Sequence, residues 1–169
     1  MDAPQTMAEI MTRIEQAVQR AVLAITALSP DQLVTPQLAG GRSVKDLLAH
    51  LTWWDQWLLF TLPPEPRLAP RPSAPPLFDQ IPPGDQWAEA MNGKVHAYNQ
   101  SRPLVAIQAE FMTTYPQLLQ RVSYLTRDDL YDPAGLSAAI GHPVAPLVLG
   151  IYEHYDEHAH ELEQMQERR

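Results

Sequence analysis

The chain of 169 residues contains no cysteine. This absence excludes disulfide bonds, a cysteine nucleophile and thiolate metal ligands, so any metal ion must be held by nitrogen and oxygen atoms. No apolar run approaches the ~18 residues of a membrane span, because Pro, Trp or charged residues interrupt each stretch. The opening segment MDAPQTMAEIMTRIEQ lacks the basic start and apolar core of a signal peptide. We therefore expect a soluble cytoplasmic protein with no membrane partner.

Positive charge is also scarce, with 12 Lys and Arg against 20 Asp and Glu and a net charge of −8. Such a surface repels phosphate backbones and no basic cluster offsets it, so we expect no nucleic-acid partner. The apolar fraction of 45% is ordinary for a globular protein. The length accommodates one sizeable core, and we expect residues 1–169 to form a single domain.

Apolar residues recur at helical spacing in four long segments, and the sequence carries almost no strand signal. We predict these helices over about 6–28, from 43 onward, over about 101–124 and over about 143–167. The second opens on Ser43-Val44-Lys45-Asp46, which resembles a capping box with Asp in place of Glu. The stretches 29–41 and 132–142 are predicted loops, and 126–130 a helical turn. Pro116 should kink the third helix unless the helix restarts there.

Residues 63–83 hold nine of the 17 prolines in the chain, which no regular helix or central strand tolerates. We predict a long, stiff crossover with polyproline character, followed by a short helix over about 84–98. The fold class is therefore all-α: a four-helix bundle with a long proline-rich crossover and a short extra helix.

Two histidines, His154 and His158, lie four residues apart in the last predicted helix and share one face of it. On a helical wheel they fall beside the apolar stripe, so both imidazoles face the interior. His50 reaches the edge of the interior from the second helix. Three imidazoles suit Zn²⁺, Ni²⁺, Fe²⁺ or Mn²⁺ and leave a coordination position open, which is typical of a catalytic metal site.

The alternative is that the inward histidines are core residues, hydrogen-bonded to Tyr152, Tyr155 or a neighbouring backbone. His96, His142 and His160 have no partner at ligand spacing, and we expect solvent-facing or capping roles for them. The segment from His154 to His158 also matches the H-x-x-E-H pattern of zinc peptidases. Glu157 lies roughly 80–100° from the histidines on the wheel, and we interpret that match as a coincidence.

Aromatic residues crowd the second helix and predict a substrate pocket lined by Trp54, Trp57 and Tyr155. Filling gaps between helices is the structural alternative, and it suits Trp54 best. Trp53 points away from the apolar stripe, so it is either exposed or covered by the proline-rich crossover. The sequence assigns no catalytic residue, and Asp46 is better suited to capping.

Two segments carry a family resemblance: GRSVKDLLAHLTWWDQWLL and GIYEHYDEHAHEL resemble the second-helix and last-helix signatures of the DinB/YfiT-like superfamily. The proline-rich crossover and FMTTYPQLLQRVSYLTRDDLYDP make the ClbS/DfsB group the nearest match. The resemblance implies that His50, His154 and His158 correspond to the family's metal ligands in a bundle that is often dimeric.

The resemblance also implies a range of activities. Some relatives are metal-dependent thiol transferases or isomerases that act with bacillithiol, mycothiol or glutathione, whereas the colibactin self-protection branch resembles a hydrolase that opens a cyclopropane. This chain departs from that branch, because LFDQIPPGDQW at 77–87 matches its aromatic-Asn segment poorly.

Taken together, the residues and the resemblance predict a metal-binding bundle with hydrolase or thiol-dependent transferase activity on a small electrophilic molecule, in stress or self-protection. The cofactors would be a divalent metal ion and a low-molecular-weight thiol, and the partners a small-molecule substrate and a second copy of the chain. The alternative function is a non-catalytic protein that sequesters a small molecule in the aromatic pocket.

Overall fold

A computed structural model describes residues 6–64, 72–81 and 84–168, and within those ranges every regular element is a helix. Four long helices and four short ones follow one another along the chain. They are α1 (Met7–Thr26), α2 (Pro30–Val34), α3 (Val44–Thr61), α4 (Trp87–Asn99), α5 (Leu104–Ser123), α6 (Arg127–Tyr131), α7 (Leu136–Ile140) and α8 (Val144–Glu167). The predicted all-α bundle is confirmed, and the four long helices are the four predicted ones.

Capping explains where the helices begin. Ser43 accepts from the backbone N–H of Asp46 while the Asp46 carboxylate accepts from the backbone N–H of Ser43, which is the predicted capping box of α3. Thr6 caps α1 through the same reciprocal bonds with Glu9. These side chains satisfy backbone donors that the first turn leaves without partners.

Two local predictions were wrong. The stretch 29–41 is not a plain loop, because Ser29 and Gln32 form a further capping box that starts α2, and a 3₁₀ turn follows at Ala39–Gly41. Likewise α7 lies inside the predicted loop 132–142, ending where Gly141 takes a left-handed φ of 73°. At Pro116, α5 continues without a restart, and this residue lies on the exposed face of the helix.

The long helices pack in two pairs, α1 against α8 and α3 against α5. The shared core contains Ile10, Ile14, Ala21, Leu47, Leu51, Phe111, Leu118, Val148, Ile151 and Leu162. At the outer edge of the first pair, Arg20 makes ion pairs with Asp156 and Glu163 at 2.5 Å each. In the second pair, Arg121 donates to the carbonyl of Leu62 at 2.9 Å and so caps the end of α3.

Tryptophans mark the side of α3 that faces the crossover. Trp53 is buried and its Nε1 donates to the carbonyl of Pro76 at 2.7 Å, so the crossover covers it, as one of the two predicted arrangements requires. Trp54 is half-buried, and its Nε1 donates to Asn92 Oδ1 of α4 at 2.9 Å. Among the described residues, no helix combines the length and hydropathy needed to cross a membrane.

Candidate metal centre

Two helices bring the three predicted histidines together. The capped start of α3 places His50 on its second turn, and the one-turn spacing of His154 and His158 on α8 presents both rings to it. The three ring centroids lie 4.8 to 5.1 Å from one another. We refer to His50, His154 and His158 as the triad.

The ring nitrogens of the triad converge on one another. His50 Nε2 lies 2.8 Å from His154 Nε2, and one ligand atom from each of the three rings lies within 4.8 Å of the others. In the absence of a metal ion, one of the two Nε2 atoms donates to the other, and a metal ion would take the place of that proton. These distances allow the three ring nitrogens to coordinate a single metal ion.

Burial keeps the triad neutral near pH 7, which is the form that binds metals. Burial, helped by the two neighbouring imidazoles, lowers the pKa of His50 to about 3. Burial and His158 lower the pKa of His154 to about 4. Burial also lowers the pKa of His158, although its hydrogen bond to Glu161 opposes the shift.

Glu161 and Asn92 lie near the triad, and the sequence reasoning missed both. Glu161 Oε2 lies 3.2 Å from His158 Nδ1, and because an ionised carboxylate only accepts, the Nδ1 carries the proton and leaves Nε2 free to bind a metal. Arg42 lies 3.4 Å from the other oxygen of Glu161. Asn92 of α4 lines the same cavity as His50, and its Oδ1 accepts from Trp54 Nε1 at 2.9 Å. The signal for Glu161 was its i+3 spacing after His158; Asn92 had no such signal.

The two tyrosines predicted as alternative partners of the histidines make other contacts. The Tyr155 hydroxyl donates to Asp55 Oδ2 at 2.5 Å, and the Tyr152 ring lies beneath the guanidinium of Arg13, 5.8 Å from ring centroid to Cζ. Both Asp55 and Tyr155 are buried. Burial raises the pKa of Asp55 to about 7, although the bond from Tyr155 lowers it, and burial raises that of Tyr155 well above its ordinary value.

Asp55 is a further residue that the sequence reasoning missed. It lies four residues after the buried Leu51, within the apolar stripe of α3, and a carboxylate in such a stripe was the available signal. A buried carboxyl with its pKa near neutrality can take up or release a proton at physiological pH.

A cavity of about 500 Å³ opens over the triad. The predicted pocket residues Trp54, Trp57 and Tyr155 all line it, together with Asp55 and Arg42. Glu157 reaches the wall of the same cavity from an exposed position on α8. We call this cavity the triad pocket.

The other histidines lie outside the triad. His160 is exposed, with the Gln164 amide nitrogen 2.8 Å from its Nε2, and His142 is exposed beside Trp57, with ring centroids 6.0 Å apart. His96 is half-buried, and its Nδ1 lies 3.5 Å from Asp46.

The triad fits a divalent ion, because three neutral imidazoles converge, Glu161 orients one of them from outside, and a cavity adjoins them for water or substrate. Nitrogen-only ligation suits Zn²⁺, Ni²⁺, Fe²⁺ or Mn²⁺ and does not select among them. The assignment of His50, His154 and His158 as ligands stays a prediction that the geometry supports.

Comparison with known protein families identifies the class to which this helical bundle belongs. The sequence model of the DinB superfamily matches residues 4–162, nearly the whole chain. The protein therefore belongs to the DinB superfamily. No curated protein matches the sequence significantly.

Solved structures share the fold at low sequence identity. The colibactin self-resistance protein ClbS, crystallised in complex with a dsDNA, superposes with a TM-score of 0.74 at 14% identity, covering 98% of each chain. A protein described as DfsB, a sibling lethal factor precursor, gives a TM-score of 0.72 at 14% identity, again over 98% of each chain. An uncharacterised protein from Escherichia coli UTI89 gives 0.77 at 16% identity, covering 98% of this chain and 95% of that one. The predicted resemblance to the ClbS/DfsB group is confirmed in the fold.

The prediction that excluded a nucleic-acid partner was wrong. Its basis was a net charge of −8, yet ClbS, with the same fold, was crystallised with a dsDNA. Net charge sums over the whole surface, whereas phosphate contacts depend on a few local side chains, so the sum does not exclude this class of partner.

Proposed function

We propose that this protein binds a divalent metal ion through His50, His154 and His158 and acts on a small electrophilic molecule held in the triad pocket. The observation that carries the proposal is the convergence of the three ligand atoms within 4.8 Å at the wall of a 500 Å³ cavity. A bound divalent ion would acidify a coordinated water or low-molecular-weight thiol and so supply a nucleophile near neutral pH.

The side chains around the triad would share the remaining tasks. Glu161 holds the His158 ring in the tautomer that leaves Nε2 as the ligand atom. Asp55, hydrogen-bonded to Tyr155 at the pocket wall, holds or releases a proton near neutral pH. Trp54 and Trp57 exclude water and contact the apolar part of the substrate. A hydrolase or thiol-dependent transferase in stress response or self-protection is the activity we propose.

Metal content tests the first half of the proposal. Protein purified without a His tag should contain about one metal ion per chain, and His154→Ala should lose it. His160→Ala is the matched control, because that histidine lies on α8, exposed and outside the triad. Retention of the full metal content by His154→Ala would remove the basis of the proposal.

Turnover separates the two functions proposed from the sequence. The metal-loaded protein is incubated with a panel of epoxides and activated cyclopropanes, with and without glutathione, and product is measured by mass spectrometry. Product that depends on His154 supports the enzyme. Tight binding with no product in either condition supports the sequestering protein, which uses the same aromatic pocket.

DNA binding is a second property that we propose, because a protein of this fold was crystallised with a dsDNA. With a net charge of −8, we expect weak binding that falls steeply as salt rises. Fluorescence anisotropy of a labelled duplex at low and physiological salt measures this, and no binding at low salt would contradict it.

A further inference from the structure

All four tryptophans of the chain lie in one cluster beside the triad pocket. Trp54 makes edge-to-face contacts with Trp53, Trp57 and Trp87, at centroid distances of 5.1, 5.6 and 5.7 Å. Trp54 also lies 6.4 Å from His50. The cluster therefore extends from the triad outward to α4 and the crossover.

A second cavity, of about 520 Å³, lies on the far side of this cluster. Its walls include Trp57, Phe78, Asp79, Ile81, Trp87 and His142, and we call it the aromatic chamber. Trp57 lines both the aromatic chamber and the triad pocket. The two cavities therefore adjoin at the Trp57 side chain, which forms part of both walls.

The chamber wall is held in an unfavourable backbone conformation. Leu77 has a φ of 71°, a left-handed value that is unfavourable for a non-glycine residue, and the 3₁₀ turn Phe78–Gln80 follows it directly. That turn carries Phe78 and Asp79 to the chamber. The bond from Trp53 to Pro76 fixes the segment just before it. Strain of this kind persists where the surroundings impose a particular geometry.

Charge at the chamber favours one kind of aromatic ligand. Asp79 is an exposed carboxylate at the wall, and the faces of the surrounding rings carry partial negative charge. Both features repel an anionic ring and attract a cationic one, and a neutral ring is not repelled. The wall of the triad pocket carries charge of both signs, from the Arg42 guanidinium and the Glu157 carboxylate.

We propose that the substrate is a two-part molecule: a planar aromatic group without negative charge enters the aromatic chamber, while the polar, reacting part lies at the triad. This inference rests on the proposed function for the role of the triad, but the aromatic chamber itself needs no metal. Trp57 contacts the link between the two parts, and the chamber selects the aromatic group.

The first experiment uses metal-free protein and two naphthalene probes of opposite charge. Tryptophan emission is recorded while 1-naphthylmethylamine or 1-naphthoate is titrated, and every tryptophan reporting on binding lies in the cluster. We expect the cationic probe to bind about two- to fivefold more tightly than the anionic one. Asp79→Asn should abolish the preference, whereas Asp85→Asn, an exposed carboxylate of the same charge that does not line the chamber, should retain it. Equal affinities in the wild type, or tighter binding of the anion, would overturn the assignment.

The second experiment tests whether the two spaces accept one molecule. Zn²⁺-loaded protein is titrated with acetohydroxamate and with a hydroxamate that carries a naphthyl group on a flexible chain. We expect the naphthyl compound to bind about tenfold more tightly than acetohydroxamate, because its ring is buried in the aromatic chamber. Phe78→Ala, which removes one aromatic wall of the chamber and does not line the triad pocket, should reduce that gain and leave acetohydroxamate affinity unchanged. No gain in the wild type would overturn the two-part substrate.

The outcomes distinguish this inference from the proposed function. A protein that takes up no Zn²⁺ contradicts the metal site, while the naphthalene titrations on metal-free protein still decide the aromatic chamber. A protein that binds Zn²⁺ but shows neither charge preference nor gain from the naphthyl group keeps the metal site and loses the two-part substrate.

Discussion

Replacing Asp55 by Asn should make the protein more stable at high pH. Burial raises the pKa of this carboxyl from 3.8 to about 7, so above neutral pH the wild type carries a buried negative charge. Asn has nearly the same shape and still accepts the hydrogen bond that Tyr155 donates to Asp55. The substitution therefore removes the charge and keeps the contact.

The sign and size of the effect follow from the pKa shift. A folded-state pKa above the unfolded one means that the folded protein binds the proton more tightly, so this contribution to stability is full below pH 4 and is lost as the pH rises through 7. The wild type should lose about 2 to 3 kcal/mol from this group between pH 5 and pH 8. Asp55→Asn does not titrate, so its stability relative to the wild type should rise by that amount.

The triad histidines act with the opposite sign. Their pKa values are lowered on folding, so their contribution is present above the ordinary histidine pKa and is lost as the pH falls toward 3 to 4. The triad histidines are the same in the wild type and in Asp55→Asn, so their contributions cancel from the stability difference between the two proteins.

Urea denaturation followed by circular dichroism, in EDTA to remove metal binding, gives the free energy of unfolding of both proteins at pH 5 and pH 8. Asp85→Asn, at an exposed position in the turn before α4, is the control and should follow the wild type. If the difference in free energy of unfolding between Asp55→Asn and the wild type is the same at pH 5 and pH 8, the raised pKa of Asp55 is contradicted.

Two further predictions concern the second carboxylate of the site and the start of α3. Glu161→Gln should weaken Zn²⁺ binding about 10- to 100-fold in a chelator competition, because the His158 ring loses the ionised acceptor of its Nδ1–H. The control is Glu153→Gln, exposed on the same helix, which should bind Zn²⁺ as the wild type does. Equal Zn²⁺ affinity of the two variants would contradict the orienting role of Glu161. Ser43→Ala should lower the free energy of unfolding by about 1 to 2 kcal/mol in urea, because the buried cap of α3 loses its bond to the N–H of Asp46, and an unchanged midpoint would show that the cap adds little.

The long helices of this fold could be predicted because each is a local pattern. The stripes of α1, α5 and α8 repeat at helical spacing, and the capping box at Ser43 lies within four consecutive residues. The errors lay where weak local signals compete. Five-residue helices such as α2 and α7 depend on a single cap or turn, and their stability comes from packing rather than propensity.

The sequence by itself determined the all-α bundle, because apolar residues repeat at helical spacing within each long segment. It also determined the inward direction of His154 and His158, because their position beside the apolar stripe follows from the periodicity of the last helix. Only the tertiary structure decided that Nε2 of His50 on α3 lies 2.8 Å from Nε2 of His154 on α8, since a contact between residues 104 positions apart depends on how two helices pack. The same holds for the Asp55–Tyr155 bond and for the bond from Trp53 to Pro76 of the crossover. A pKa depends on burial and neighbours, so the neutral triad and the raised pKa of Asp55 come into being only when the chain folds.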